Sequence, residues 1–533
     1  MKKRLPILIG AIAMFLIAFI YYYVTLPAIS LHSQGMWWFL IFLVVACGFV
    51  YAAFRVRTVD DVTSSLPLKI IVGIVAVLAI VFLIGSILSS PIVNAKKYQQ
   101  LLTVEDRNFA EDIVEVSYNQ IPLLDKDSSL LLGDRKMGSM VDMVSQFEVS
   151  DRYNQINYQD KPVRVSPLVY ASPIKWLTNQ SKGIPAYMMI DMTTQDTTCV
   201  KLEEGIRYSE SEHFNRNIYR HLRFRYPTYI FADFSFEIDD NGVPYWICPV
   251  KKFNIGLFGG QTIGKVVICN AVTGECTEYD INNVPQWVDR VYPTDMLVNL
   301  YNYHGTLQNG YFNSVLGQKG CLQTTDGYNY LALEDDVWVY TGITSLNADQ
   351  SIVGFVLMNQ RTMETRYYSV EGAIEYSAMS SAEGQVQNLG YQATFPLLLN
   401  IADEPTYFIA LKDDAGLVKK YAMVNVQKYQ WVAIGDTVAE CERSYVSLLN
   451  TNGISGGSDS SSVEVTGKIT KMAPITIEGN THYYLCIEGN EGIYDIDMTD
   501  SALVNVLFYN EGDTIHLKYV QGSSVCEVTE IIE

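Results

Sequence analysis

Three stretches near the N-terminus are uniformly apolar: Leu5 to Leu26, Met36 to Phe54 and Leu68 to Leu88. A helix needs roughly 20 such residues to cross a hydrocarbon core about 30 Å thick at about 1.5 Å per residue, and each stretch is that long. Lys69, near the end of the third, can extend its ammonium to the interface. Beyond Leu88 the pattern changes. Residues 91–112 mix apolar and charged positions and predict a helical stalk. From Ile113 onward alternation takes over, with Ile156 to Tyr158, Ala186 to Ile190, Tyr229 to Ile238, Tyr245 to Val250 and Lys265 to Cys269 reading as strands bounded by turn formers. The expected fold class is α+β: three transmembrane helices in 1–90, the stalk, and a β-rich, multi-domain soluble region. That region divides into an α+β domain (113–330), a second one (331–450), a Gly/Ser linker (451–462) and a small β-barrel (463–533).

Within this pattern one helix has a start signal. Ser209-Glu210-Ser211-Glu212 has the spacing of a capping box, Phe214, Ile218 and Leu222 repeat every four residues, and Pro227 stops the run. A hairpin follows, turning at Asp239-Asp240-Asn241-Gly242. A similar unit recurs as a helix within Gly372 to Leu389, then Thr406 to Leu411, the turn Asp413-Asp414-Ala415-Gly416, and Val418 to Val424, which predicts an internal repeat. Another helix is expected from Thr437-x-x-Glu440 to about Leu449.

The helix, the Asp-Asp-Asn-Gly hairpin and a last strand ending Val-Val-Ile-Cys-Asn-Ala-Val-Thr-Gly-Glu resemble PepSY-type modules over 209–279, and more loosely over 372–424. Asn270 stands where Asp is usual, and the insert Lys251 to Gly264 is long. The resemblance implies a helix packed on a small antiparallel sheet, and regulatory or inhibitory interaction outside the cytoplasm. The opening Val465-Thr466-Gly467-Lys468-Ile469 and the later Gly512 to Leu517 resemble small OB-like barrels.

Charge then sets orientation and excludes one partner class. The net charge is −20; residues 1–95 carry six basic and two acidic side chains, which leaves −24 for the rest. Lys2, Lys3, Arg4, Arg55 and Arg57 lie on one side of the expected spans, and the first connection, Pro27 to Gly35, has no Lys or Arg. The positive-inside rule places the N-terminus in the cytoplasm and the soluble domains outside a multi-pass cell-membrane protein. An acidic surface repels nucleic acid, so the expected partners are the lipid bilayer and another membrane or envelope protein, with homo-oligomerisation left open.

Chemistry is sparse. Six histidines include no pair at metal-ligand spacing, and the chain has neither a CxxC nor a Gly-x-Ser-x-Gly elbow. No catalytic, metal or cofactor-binding residue is assigned. Gly256 to Gly264 is followed by a strand, so it reads as a loop or bulge and not as a phosphate cradle. Cys269 and Cys276 flank a turn and either oppose each other as a disulfide or remain buried thiols. Trp287-Val288-Asp289-Arg290 reads as a buried tryptophan beside a local ion pair. Arg216, Arg220, Arg223 and Arg225 crowd one helix of an acidic region, either as a docking surface for a partner or paired with the protein's own acids. The leading expectation is a membrane-anchored binding, scaffold or sensor protein without catalysis. Regulation or inhibition of an extracytoplasmic peptidase is the alternative, and an unrecognised hydrolase is third.

Overall fold

The computed structural model describes residues 5–55, 65–113, 121–346, 351–454, 462–477, 480–490, 492–498, 501–520 and 525–532. The chain is mixed α and β and rich in strands throughout its C-terminal part. It begins with helices α1 (Leu5–Thr25), α2 (Gln34–Arg55) and α3 (Leu66–Leu88). Two stretches, Gln34–Ala53 and Leu66–Leu88, are long and apolar enough to cross a membrane by length and composition, with mean hydropathies of 2.2 and 3.1. Ile9–Thr25 is apolar but shorter, so two helices meet the requirement where three are expected.

The expected stalk is helical over Pro91–Gln99 and, for a single turn, over Phe109–Asp112. Glu105–Arg107 is instead an edge strand, parallel to Thr365–Tyr368. No continuous apolar face carries the helix on through residues 100–108, and a sheet edge supplies the backbone partners that Glu105–Arg107 need.

Four times in succession a helix precedes a meander of short strands. In the first module the helix is Lys126–Gly138 and the strands are Asn154–Tyr158, Lys161–Tyr170, Ile184–Asp191 and Thr197–Ile206. The second has Ile218–Arg225, then Ser235–Ile238, Pro244–Ile255, Gly259–Asn270 and Cys276–Asp280. The third has Thr294–Thr306, then Asn329–Leu333, Asp336–Ser345, Gly354–Asn359 and Thr365–Tyr368. The fourth has Glu375–Gln385, then Leu397–Ile401, Glu404–Lys412 and Val418–Asn425, with Val432–Gly435 next in chain order. The hairpin Asn329–Leu333/Asp336–Ser345 straddles position 330, where a domain boundary is expected.

One turn recurs at the end of each third long strand. The side-chain oxygen of Asp191, Asn270, Asn359 or Asn425 accepts hydrogen bonds of 2.8–3.1 Å from the backbone N–H groups two and three residues on. Asp and Asn serve because a short side chain can close such a turn on its own backbone. The repeat expected from the Asp-Asp turns is therefore out of step. Asp239 and Asp413 do form matching loops, each accepting two N–H bonds of 2.9–3.0 Å. The first joins strands one and two of its module, whereas the second joins strands two and three.

The second sheet is buried on both faces, which explains its near-continuous apolar strands. Trp246, Cys248, Val267 and Cys269 pack with Ile156, Val163 and Tyr187 of the first module. Ile247, Val266 and Ile268 point the other way, onto Leu297 and Leu300 and the third-module residues Val339 and Val356.

A second compact unit comprises Ile401–Glu404 and Ala433–Glu533. Its helix, Val438–Thr451, starts as expected: Thr437 Oγ1 accepts from Glu440 N (3.1 Å) and Glu440 Oε2 accepts from Asp436 N (2.7 Å). Most of the expected Gly/Ser linker, 455–461, lies outside the described residues. Ser462–Ile477, Asn480–Ile487, Ile493–Asp497, Thr514–Val520 and Cys526–Ile531 close into a barrel with spatial order first, second, third, fifth, fourth. A 3₁₀ segment, Ser501–Phe508, lies between the third and fourth strands, and Ile469, Leu485, Ile496, Val506 and Leu517 fill the interior.

Candidate functional site

The arginine-rich helix is shorter than the sequence suggests. Phe214–Arg216 is a single 3₁₀ turn, the α-helix spans Ile218–Arg225, and its N-cap is Asn217, whose side chain accepts from Arg220 N. The side chains of Ser209 and Glu212 do not cap the helix, although Ser209 O accepts from Ile218 N at 3.1 Å. Glu212, 1% exposed, accepts the Tyr170 hydroxyl (2.7 Å) and Trp176 Nε1–H (2.8 Å), and these buried donors outcompete a helix terminus for its carboxylate.

The arginines meet backbone carbonyls. Arg223 Nε donates to Leu26 O at 2.9 Å, immediately beyond α1, while Nη1 donates to Tyr229 O at 2.6 Å and to Tyr226 and Pro227 O at 3.3 Å. The Arg220 guanidinium lies 4.3 Å from the Tyr23 ring centroid, and its Nη1 donates to Phe214 O. Arg216 donates to Gln180 O, and Arg225 lies beside Tyr226. Among the described residues none of the four pairs with a carboxylate, so the expectation of ion pairs with the protein's own acids fails. A helix C-terminus presents orphan carbonyls and partial negative charge, which a planar, five-donor guanidinium satisfies well.

Further contacts join the same end of the apolar helices to the second module. Ile29 N donates to Pro227 O (2.7 Å). At the end of α3, Ser89 Oγ accepts from Leu257 N (2.8 Å) and Phe258 N (3.1 Å), at the hairpin tip of the glycine-rich stretch. The tip must be Gly there, because Gly256 has φ +59° and a Cβ on it would stand 2.4 Å from Ser89 Oγ. Phe258 packs against Phe82 (ring centroids 5.1 Å apart) and Trp37 (6.3 Å). The first helix and the third thus both end on one module.

Behind this junction the same short helix carries His221 toward the thiols. Cys269 and Cys276 are cross-strand partners and both thiols are free. Ligand atoms of His221, Cys269 and Cys276 all lie within 4.8 Å of one another. His221 Nε2 is 2.8 Å from Gly274 O and 3.6 Å from Cys276 Sγ. Hydrogen bonding from Cys269, aided by His221 and the Arg225 charge and opposed by burial, pulls the Cys276 thiol down to about 5. Hydrogen bonding to Cys276 pushes His221 up. The three residues have the donor set of a soft metal site or of an activated dithiol. Sequence spacing could not assemble them, because the histidine lies 55 residues before Cys276 and on a different element.

Next to the second sheet two carboxyls are buried. Glu237 accepts from Ser235 Oγ (2.7 Å), Asp289 N (2.9 Å) and Arg290 N (3.1 Å), and Asp289 Oδ2 accepts from Asn157 N (2.7 Å). Burial pushes both carboxyls up, and the Glu237 charge raises Asp289 further. Asp289 therefore makes no local ion pair; Arg290 reaches Asp233 instead, and Trp287 is half-buried against Tyr245. Neither a family model nor a curated protein matches the chain.

Proposed function

We propose that this is a membrane-anchored binding protein of the scaffold or sensor type, with three N-terminal spans, a cytoplasmic N-terminus and extracytoplasmic domains, acting without catalysis. The observation that carries this reading is the polar junction between the apolar helices and the second module. Arg223 holds the carbonyl just beyond α1, and Ser89 at the end of α3 holds the hairpin tip. Both helix ends meeting one module supports an odd number of crossings, with all three helices passing through the same bilayer. A module fixed to its anchor at two points transmits strain between ligand and membrane better than one on a loose tether. Protease treatment of intact cells, followed by detection of the C-terminal barrel, tests the topology. Loss of the barrel is the expected result, and protection until lysis overturns it. Co-purification at native expression tests the binding role, which fails if the chain is recovered alone.

The repeated helix-plus-meander unit, with its Asx turn after the third strand, favours the PepSY-like resemblance and a second reading as regulator of an extracytoplasmic peptidase. Peptidase activity unchanged by deletion of the gene would remove it. The barrel's strand order supports the OB-like resemblance, and its ligand is not nucleic acid on the charge argument.

A further inference from the structure

Where the first module faces the third, a cleft of about 290 Å³ opens, and its wall holds an unpaired cation. On the hairpin Asn154–Tyr158/Lys161–Tyr170, Ile156 and Val163 face the apolar core; their neighbours Gln155 and Arg164, directly opposite each other, face the cleft. Arg164 is 5% exposed and Gln155 is 6% exposed. Arg164 Nε and both polar atoms of the Gln155 amide have no hydrogen-bond partner within the protein. Among the described residues no carboxylate lies within ion-pair distance of Arg164. The nearest acid in the wall, Asp125, is already committed to Lys412 Nζ and to Ser128 N. Arg290 adds a second cation, bound to Asn154 Oδ1 (2.8 Å), and Tyr328 and Phe395 supply aromatic surface.

A buried charge left uncompensated is among the costliest features a fold can carry, and a buried amide with neither end satisfied adds to that cost. Burial accordingly pulls Arg164 down from its ordinary value, outweighing the opposing attraction of Tyr330, Asp125 and Asp127. In a chain of net charge −20 this is a site where the protein itself withholds the available counter-ion. The missing partner must be an anion with a planar fork of acceptors for the guanidinium. It must also offer an N–H donor for Gln155 Oε1 and an adjacent acceptor oxygen for Gln155 Nε2, which the amide N–H and a carboxylate oxygen of one residue present together. A carboxylate next to a secondary amide has both, and aromatic surface suits an apolar side chain beside them.

We propose that this cleft binds an N-acylated amino acid or the chemically equivalent C-terminal residue of a peptide, with Arg164 on its carboxylate and Gln155 on its amide. The inference rests on the cleft alone and holds whichever side of the membrane the modules occupy.

The test is calorimetric titration of the full-length protein in detergent with N-acetyl-phenylalanine, its C-terminal amide, 3-phenylpropanoate and inorganic phosphate. The acid should bind, and the neutral amide should bind at least about thirtyfold more weakly, as expected for loss of a charge-assisted hydrogen bond. Phenylpropanoate, which lacks the amide, should bind more weakly than the acid in the native protein, and Gln155→Leu should abolish that preference. Arg164→Met should abolish binding yet raise the melting temperature of the ligand-free protein, because it removes an unpaired buried charge. A structural arginine gives the reverse, a lower melting temperature. A tripeptide ending in phenylalanine that binds as tightly as the acid identifies peptide ends as the source; one that fails to bind identifies free acylamino acids. No saturable binding of the acid at about 10 mM overturns the proposal, since a weaker site is worth under about 3 kcal/mol. Equal affinity for acid and amide, or tighter binding of phosphate, overturns it as well.

Discussion

Replacing Arg223 with methionine removes a guanidinium that donates to four carbonyls while leaving most of the aliphatic volume. The bonds to Leu26 O (2.9 Å) and Tyr229 O (2.6 Å) are short enough to count fully, and those to Tyr226 and Pro227 O, at 3.3 Å, are weak. A hydrogen bond to a charged group contributes about 1.5–3 kcal/mol, so losing the two strong ones costs about 3–6 kcal/mol. For a cooperative unit the size of Met1–Asn400 with Pro405–Val432, that corresponds to a melting temperature lower by about 3–7 °C. Tryptophan fluorescence during heating in detergent measures it, and hydrogen exchange at Ile29 N, bonded to Pro227 O, reports on the junction itself. Arg223→Lys keeps the charge but offers one ammonium in place of a fork, and should recover less than half of the loss. A melting temperature within about 1 °C of the native value, with Ile29 still protected, refutes the structural role and returns Arg223 to the docking surface that is one of the two sequence alternatives.

Three other perturbations follow from the same geometry. The folded-state value of Cys276, about 5, lies below the unfolded one, so its contribution is complete above the unfolded value and is lost as pH falls through about 5. His221, raised, contributes fully below its unfolded value and loses that contribution as pH rises through its folded one. The melting difference between native protein and Cys276→Ser should thus fall to a constant packing cost near pH 4 and grow above pH 5, and a pH-independent difference contradicts the pairing. Asp289 and Glu237 are raised, so their protonated forms stabilise the fold at low pH and that stability is lost as pH rises through their folded values. Asp289→Asn should flatten the fall in melting temperature as pH rises above the ordinary carboxylate range, and an unchanged slope counts against it. Glu212→Ala strands the Tyr170 hydroxyl and Trp176 Nε1–H and should cost about 2–5 kcal/mol with loss of near-ultraviolet dichroism, whereas Glu212→Gln, which keeps an acceptor, should cost less.

The features that were legible in the sequence are those set by neighbours along the chain. Apolar length marks Gln34–Ala53 and Leu66–Leu88, because a bilayer demands a run of fixed extent. The Asp239 and Asp413 turns and the Thr437 cap form where expected, since each needs only a side chain and backbone groups a few residues away. The barrel was legible too, from alternation and closely spaced turns. The Ser209 capping box failed because Glu212 is claimed by Tyr170 and Trp176, 42 and 36 residues away. Arg223 meets Leu26 across 197 residues. His221 meets Cys276 only because a helix packs on the turn of its own sheet, and Arg164 is stranded only because the third module covers its face. Local hydrogen bonding and hydrophobic length act over a few residues and therefore show in the sequence. Compensation of buried charge depends on which surfaces meet in space, and only the tertiary structure decides that.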